Sequence, residues 1–318
     1  MQDVLFRIPF VDLPIYGYGL MLVLGVFAAM GLSKWLAPKV GIDPDFFGNA
    51  ALVAVFSGIV GARLSHIFEN LEKFTDPTRT AWANFLDAIN LTSGGLTFFG
   101  GLLFAAPTVI AYAVWKKVPL KVGMDVAAPC IVLGLAFGRV GCLLHGCCFG
   151  GVCHDVPWAV QFPYGSPAYA AHVEAKVIDP PSPMFLAIQE TNPEAAAAIA
   201  RQLHSAPVHP AQIYSSINAF FLTAILVVFF HIRHQAGRGF ALMLVLLGST
   251  RFVLETLRAE PTVIANFSFS MVVGLGVAVA GVVAWFVMPK LGKTAIVDVD
   301  DAKSDNVETS SPTATVPA

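Results

Sequence analysis

The chain has 318 residues, of which 56% are hydrophobic and only 13% are charged. Its mean hydropathy is +0.70, and so few charges cannot cover the surface of one or two soluble domains. The formal net charge of −2 gives no basic excess. Because no RNA- or DNA-binding signature occurs either, nucleic acid is excluded as a partner. The composition indicates instead that lipid surrounds most of the chain.

Seven apolar stretches are each long enough to cross a bilayer whose hydrocarbon core is about 30 Å thick. They are residues 15–36, 47–68, 94–115, 123–144, 211–232, 239–258 and 264–288. These stretches lack the alternation that is typical of membrane barrels. The sequence therefore predicts an all-α polytopic membrane protein with about seven transmembrane helices and an external head inserted after the fourth.

Basic residues are concentrated on one side of this arrangement. If the seven helices alternate in direction, one side carries Lys34, Lys39, Lys116, Lys117, Lys121, Arg233, Arg238, Lys290 and Lys293 in short loops or flanks. Because short cytoplasmic loops carry such an excess, we expect this side to be cytoplasmic and the N-terminus to be external. The first span follows neither a basic region nor a cleavage site, so we expect it to be retained as an anchor.

Four regions follow from this layout. Residues 1–144 form an N-terminal membrane segment with four spans, 145–210 the external head, and 211–288 a C-terminal membrane segment with three spans. Residues 289–318 are rich in Asp, Ser, Thr and Pro, which predicts a disordered cytoplasmic tail. The external segment 69–93 is expected to form a short interfacial helix or loop.

Three arginines lie within the apolar stretches, where a guanidinium is expensive. They are Arg63, Arg139 and Arg251, and each costs about 2.5–3.5 kcal/mol at mid-membrane on insertion scales. Arg63 and Arg139 either snorkel to the headgroups or face a cavity, a counter-charge or a ligand. Helical spacing places Glu255 and Arg258 on the face of Arg251, which predicts an ion pair with excess positive charge that suits a phosphate.

Four cysteines are clustered where the head begins. Cys142, Cys147, Cys148 and Cys153 are interspersed with His145 and His154, while Cys130 stands apart. Their spacing differs from the paired C-x2-C pattern of structural zinc sites, and adjacent cysteines rarely bind one tetrahedral ion, so no metal site is predicted. An external location favours oxidation, so we expect one or two disulfides here.

The sequence HPAQIYS precedes and enters the fifth apolar stretch. It contains His209, Pro210, Gln212 and Tyr214, and proline is common where a helix begins. Tyrosine is also common where helices meet the membrane surface, so Tyr214 and Tyr18 have a structural explanation as well as a functional one.

Five motifs taken in chain order resemble the prolipoprotein diacylglyceryl transferase family. They are YGYGLML (16–22), GGLTFFGGL (94–102), GRVGCLLHG (138–146), HPAQIY (209–214) and TRFVLETLR (250–258). The seven-span layout with an external head is similar to that family too. The resemblance implies an inner-membrane enzyme that moves the diacylglyceryl group of phosphatidylglycerol onto the lipobox cysteine of a preprolipoprotein. It implies no cofactor and no metal.

The resemblance also assigns residues. Arg139 and Arg251 match the family's essential phosphate-handling arginines, and Glu255 matches the acidic partner one helical turn later. Tyr18 matches the tyrosine of a YGLM motif, and Gly100 and Gly101 match a double glycine. His209, Gln212 and Tyr214 match an HPxQxY motif, and Arg63, Cys142 and Arg258 complete the predicted substrate-binding set.

Two departures from the family fall on residues that matter. Phe99 stands where the family has a histidine proposed as a base, and Cys142, His145 and Cys147 replace two asparagines and a glutamate. Because phenylalanine cannot accept a proton, either the base lies elsewhere, the arginines ionise the incoming thiol, or activity is lost. His145 is the replacement candidate. The alternatives are a catalytically degenerate phosphatidylglycerol-binding relative and a small transporter.

Overall fold

The computed structural model describes residues 4–8, 13–74, 80–90, 97–232, 234–258, 262–264, 267–290 and 296–297. Within these ranges the chain is mainly α-helical. The helices are α1 Gly17–Leu36, α2 Pro44–Glu69, α3 Leu71–Phe74, α4 Ala81–Ile89, α5 Phe98–Trp115, α6 Leu120–His145, α7 Pro167–Glu174, α8 Pro183–Thr191, α9 Pro193–Ala200, α10 Ala211–Phe230, α11 Arg238–Glu255 and α12 Phe269–Val287. The short strands are β1 Val4–Ile8, β2 Leu13–Tyr16, β3 His234–Gln235, β4 Thr262–Ile264, β5 Phe267–Ser268 and β6 Ile296–Val297. They pair antiparallel as β1–β2, β3–β6 and β4–β5.

Five helical segments in the described ranges are long and apolar enough to cross a membrane. They are Gly17–Val40, Pro44–Glu69, Leu120–His145, Ala211–Phe230 and Phe269–Lys290. The predicted multi-pass helical membrane protein is thereby confirmed. The remaining two predicted spans coincide with α5, which is apolar but shorter, and with α11, which carries Arg238, Arg251 and Glu255 within its 18 residues. The count of seven stays a prediction.

The chain forms two compact units. Of the described residues, those within 4–29 and 125–297 belong to the first unit, and those within 30–124 belong to the second. In the core of the first unit, the small alanine side chains of α6 leave room for larger side chains of α10 and α11. The buried members of this core are Ala128, Val132, Ala136, Ala219, Leu222, Leu226 and Met243. This packing fixes α6 against α10 and against α11, which carries Arg251 and Glu255.

Residues 145–210, the predicted head, contain α7, α8 and α9 joined by loops. Its core consists of Phe162, Ala168 and Val208, against which Leu143 and Phe149 pack. Because Leu143 belongs to the last turn of α6, the head and the membrane helix share one apolar cluster. The loops of the head are therefore anchored directly to the end of α6.

At the opposite end of α6, a buried carboxylate holds the beginning of α11. Asp125 is 1% exposed and accepts hydrogen bonds from the backbone N–H groups of Gly237 (2.7 Å) and Phe240 (2.9 Å). The first N–H groups of a helix lack intrahelical acceptors and attract negative charge. Asp125 thus fixes the start of α11, whose far end carries Arg251 and Glu255.

In the second unit, α2 and α5 approach closely through glycines. A Cβ atom at Gly61 or Gly100 would lie 2.7 Å from the carbonyl oxygen of the other residue, and one at Gly101 would lie 3.2 Å from the carbonyl oxygen of Gly58. Small residues permit this approach of helix backbones in membranes. The pair is therefore a tightly packed two-helix element.

The segment between α2 and α5 includes two short helices in its described part. The expected interfacial helix corresponds to α4, which begins after the Thr80 cap and exposes the large apolar side chains Trp82, Phe85, Leu86 and Ile89. Of the tail predicted to be disordered, the structure describes residues 289–290 and Ile296–Val297. Ile296–Val297 forms a short strand that pairs with His234–Gln235. The rest of that prediction lies outside the described residues.

Candidate functional site

Two arginines share one buried carboxylate where α11 ends. The Glu255 side chain is 1% exposed, and its Oε2 lies 3.1 Å from a terminal nitrogen of Arg251 and 3.5 Å from one of Arg258. Arg251 also donates to Ser270 Oγ at 3.2 Å. The predicted ion pair is therefore present, and the three residues, here called the arginine triad, carry a formal net charge of +1. A guanidinium in such a setting suits bidentate binding of a phosphate.

A tight turn follows the last residue of α6. Gly146 adopts the left-handed conformation with φ of +78°, and the N–H groups of Gly146 and Cys147 bond to the carbonyl of Cys142 at 3.0 and 3.1 Å. Such a glycine is the usual C-terminal cap of a helix. The turn brings the chain back over α6, so that Cys147 and Cys148 come close to Cys142.

The thiols of these three residues converge. The Sγ atoms of Cys142, Cys147 and Cys148 all lie within 4.8 Å of one another, and we call these residues the thiol cluster. All five cysteines are free thiols, so the expectation of disulfides was wrong for this structure. The reason is local: the turn after α6 gathers three thiols together, while Cys153 is buried elsewhere in the head and Cys130 lies within α6.

Arginine charges extend to the thiol cluster. Hydrogen bonds from the thiols of Cys142 and Cys147 lower the pKa of Cys148, and the positive charges of Arg139 and Arg258 lower it further. The hydrogen bonds of Cys147 with the thiols of Cys142 and Cys148 raise the pKa of Cys147. Arg258 therefore connects the arginine triad with the thiol cluster, since it pairs with Glu255 and its charge acts on Cys148. The arginine triad, Arg139 and the thiol cluster all belong to the first unit, and the charges of Arg139 and Arg258 both act on Cys148.

Tyr18 and His145 lie at the margin of this site. Tyr18 interacts electrostatically with Arg139 and Cys142, its side chain is 40% exposed, and its ring centroid lies 6.3 Å from that of His145. His145 is the last residue of α6 and is exposed. Tyr18 thus links His145 to the neighbourhood of Arg139, and the imidazole of His145 is exposed.

The predicted HPxQxY residues support the turn. Gln212 is fully buried and donates through Nε2 to the carbonyl of Cys147 at 2.8 Å. His209 is joined to Gly150 and Gly151 by backbone hydrogen bonds of 3.0 Å. Tyr214 accepts a hydrogen bond of 2.6 Å from the indole N–H of Trp158. These contacts tie the start of α10 to the loop that carries the thiol cluster.

Arg63, Gly100 and Gly101 belong to the second unit. Arg63 is 6% exposed, donates to the carbonyls of Ala88 (2.7 Å) and Asp87 (2.6 Å) at the end of α4, and lies 5.3 Å from the Phe74 ring centroid. A cation at the C-terminus of a helix is stabilised by the helix dipole. The described contacts of these three predicted residues hold helices together, and their role in substrate binding stays a prediction.

Sequence reasoning missed three residues that position the site. Ser270 binds Arg251, the carbonyl of Phe149 accepts from Arg258 Nε at 3.5 Å, and Trp158 binds Tyr214. A serine hydroxyl and a backbone carbonyl leave no recognisable sequence signal. Trp158 carried a weak one, because an indole in a polar loop usually needs an acceptor for its N–H group.

Comparison with known proteins identifies the family to which the chain is similar. The profile of the prolipoprotein diacylglyceryl transferase family matches residues 3–287. Two phosphatidylglycerol–prolipoprotein diacylglyceryl transferases align over most of the chain. The one from Clostridium tetani is 28% identical over 82% of this chain and 87% of its own length, and the one from Corynebacterium efficiens is 27% identical over 96% and 90%. A third, from Rhodopirellula baltica, is 37% identical over 50% of this chain, which spans about a third (32%) of that relative.

Proposed function

Because the chain belongs to the prolipoprotein diacylglyceryl transferase family, we propose that it transfers the diacylglyceryl group of phosphatidylglycerol to the cysteine thiol of preprolipoprotein signal peptides. This reaction forms a thioether and is the first step of bacterial lipoprotein maturation. The observation that carries the proposal is the arginine triad of Arg251, Glu255 and Arg258, whose excess positive charge suits an anionic lipid headgroup, together with the positive charge of Arg139 near Cys148.

In the proposed mechanism, the substrate thiolate attacks the glycerol carbon that bears the phosphate. A carbon–sulfur bond forms, the carbon–oxygen bond to the phosphate breaks, and glycerol phosphate leaves with the electron pair. Arg139 and Arg251 stabilise the charge that develops on the departing oxygen. A preorganised donor in a water-poor site is worth about 3–4 kcal/mol, which corresponds to a hundred- to thousandfold in rate.

A base must take the proton of the substrate thiol. Phe99 cannot accept it, and its side chain is 69% exposed. His145 is exposed at the end of α6, beside Tyr18 and on the same turn as Cys142. We assign the base to His145. A His145→Gln variant that transfers at the normal rate would contradict this assignment.

The proposed topology has seven spans, with the N-terminus and the 145–210 head outside the bacterial inner membrane and the C-terminus in the cytoplasm. It is supported by the lysines and arginines near the ends Leu36, Trp115 and Phe230, which mark the cytoplasmic side. The end of α6 and the end of α11 then face outward. The site is thereby placed on the side from which an exported peptide can present its cysteine.

The experiment that tests the function is transfer of labelled diacylglyceryl from phosphatidylglycerol to a lipobox peptide by the purified protein. We expect transfer by the natural sequence and its near-complete loss in Arg139→Ala. Retained phosphatidylglycerol binding without any transfer would favour the degenerate lipid-binding relative. The comparisons give neither that alternative nor the transporter any support, because the relatives reported above are named as transferases.

A further inference from the structure

The thiol cluster performs no step of the proposed transfer, although Cys142 belongs to the predicted substrate-binding set. It combines three half-buried thiols, of which two are adjacent in sequence and one lies on α6. Neither Cys130 nor Cys153 belongs to it. Three convergent sulfur atoms are an uncommon arrangement for residues whose only purpose is packing, since a free cysteine otherwise behaves as a small apolar residue.

The backbone of the cluster is held in a strained conformation. Cys148 has φ of +57°, a left-handed conformation that costs a residue other than glycine roughly 1–2 kcal/mol. In regular structure the side chains of adjacent residues diverge, whereas here Cys147 and Cys148 direct their sulfurs to a common region. Strain that persists at a cluster of reactive groups points to function.

Neighbouring elements keep this conformation in place. The buried Gln212 side chain binds the carbonyl of Cys147 at 2.8 Å, and Arg258 Nε lies 3.5 Å from the carbonyl of Phe149. The residues directly before and after Cys148 are therefore anchored to α10 and to the segment after α11. Preorganisation of this kind is what a ligand set requires.

The charge around the cluster suits three thiolates. Thiolates, rather than thiols, bind metal ions, and three of them around a monovalent or divalent ion leave a net negative charge. Arg258 is positioned to compensate this charge, because its Nε lies 3.5 Å from the carbonyl of Phe149, the residue that follows Cys148. Its positive charge therefore favours the metal-bound form of the cluster.

We propose that Cys142, Cys147 and Cys148 form a trithiolate site for a thiophilic metal ion, Cu+ or Zn2+. Soft sulfur ligands select these ions. Zn–S bonds of about 2.3 Å hold the sulfurs of a tetrahedral site about 3.8 Å apart, so separations within 4.8 Å need only small side-chain movements. Adjacent cysteines rarely bind one tetrahedral ion, but the left-handed conformation of Cys148 lets its sulfur approach those of Cys142 and Cys147.

The test uses the full-length protein, purified in detergent, reduced and stripped of metal. One arm titrates it with Cu+ and the other with Zn2+, each against a chromophoric chelator. We expect one ion per chain in at least one arm. Cys148→Ser should lose more affinity than the roughly 10- to 100-fold typical of outer-shell partners, and Cys142→Ala should do the same as a second variant.

Cys153→Ser is the matched control, because Cys153 lies in the same loop region but outside the cluster. Its binding should equal that of the natural sequence. The proposal is overturned if neither ion binds, if Cys148→Ser and Cys142→Ala bind as tightly as the control, or if mass spectrometry finds a disulfide within the cluster that persists under reducing conditions. Because ion binding is measured without any lipid transfer, the result is independent of the proposed transferase function.

Discussion

Arg63 in α2 and the arginine triad at the end of α11 are both guanidinium sites in apolar helices, but their partners differ in kind. Arg63 donates to two backbone carbonyls at the end of α4 and is 6% exposed. Arg251 has its side chain 33% exposed and shares the carboxylate of Glu255 with Arg258. At the first site, backbone carbonyls at a helix end accept hydrogen bonds from the cation. At the second site, two cations share one carboxylate, so an excess positive charge remains.

This difference favours a structural role for Arg63, against the sequence prediction that it binds substrate, and a binding role for the triad. Carbonyls at a helix end are fixed acceptors that stabilise a cation without attracting any further anion. Two arginines around one carboxylate retain a positive field, and partial exposure lets a ligand reach it. We therefore expect substitutions at Arg63 to change stability and substitutions in the triad to change transfer.

The largest effect is expected for Arg251→Ala, with a rate of diacylglyceryl transfer about 100- to 1000-fold lower and a folded protein. Arg251→Lys should restore little, because an ammonium lacks the planar fork that binds a phosphate bidentately. Steady-state transfer with a lipobox peptide measures both variants. A normal rate for Arg251→Lys would show that charge alone, and not the fork, is required.

Arg63→Met is expected to lower the free energy of unfolding by about 2–3 kcal/mol, because the hydrogen bonds of a charged donor to the α4 carbonyls are lost. Transfer per folded molecule should remain normal. Thermal unfolding in detergent and the transfer assay measure the two quantities on the same sample. The contrast with Arg251 would fail if this variant kept its stability and lost transfer.

The sequence was sufficient to predict the helical membrane protein and the pairing of Arg251 with Glu255, because apolar length and helical spacing are local properties. It was not sufficient for the partners of Arg63. Those partners are backbone carbonyls of Asp87 and Ala88, which any residue could supply. The sequence showed that the cysteines are close together, but it led to the wrong prediction of disulfides. The convergence of the three thiols depends on the left-handed conformation of Cys148, which a sequence indicates reliably only at glycine.

The close packing of α2 and α5, in the same unit as Arg63, predicts a third effect, which is on stability. Gly100→Ala should destabilise the protein by about 1–3 kcal/mol, because the added Cβ would lie 2.7 Å from the Gly61 carbonyl oxygen and would also clash with Ser65. Gly134→Ala is the matched control in a helix, since a Cβ at Gly134 meets no atom within 4 Å. Thermal unfolding of both variants decides the point, and equal midpoints would contradict the packing argument.

The smallest expected effect is a pH dependence of stability that arises from His172, which is connected to the triad through Phe149. The His172 ring packs on Phe149, whose carbonyl contacts Arg258, and its Nδ1 accepts from the N–H of Ala206 at 3.2 Å. Burial lowers the pKa of His172. The unfolded chain therefore binds a proton more readily than the folded protein, and the free energy of unfolding should fall as the pH drops below about 6.5.

His172→Asn should reduce this loss of stability in acid, because an amide oxygen can accept the Ala206 hydrogen bond without titrating. The exposed His154, changed to Asn, serves as the control and should leave the slope unchanged. Unfolding midpoints measured from pH 7.5 to pH 5 provide the comparison. If His172→Asn and the natural sequence lose stability in parallel, other groups cause the acid sensitivity, and the support of the triad through Phe149 does not depend on the charge of this imidazole.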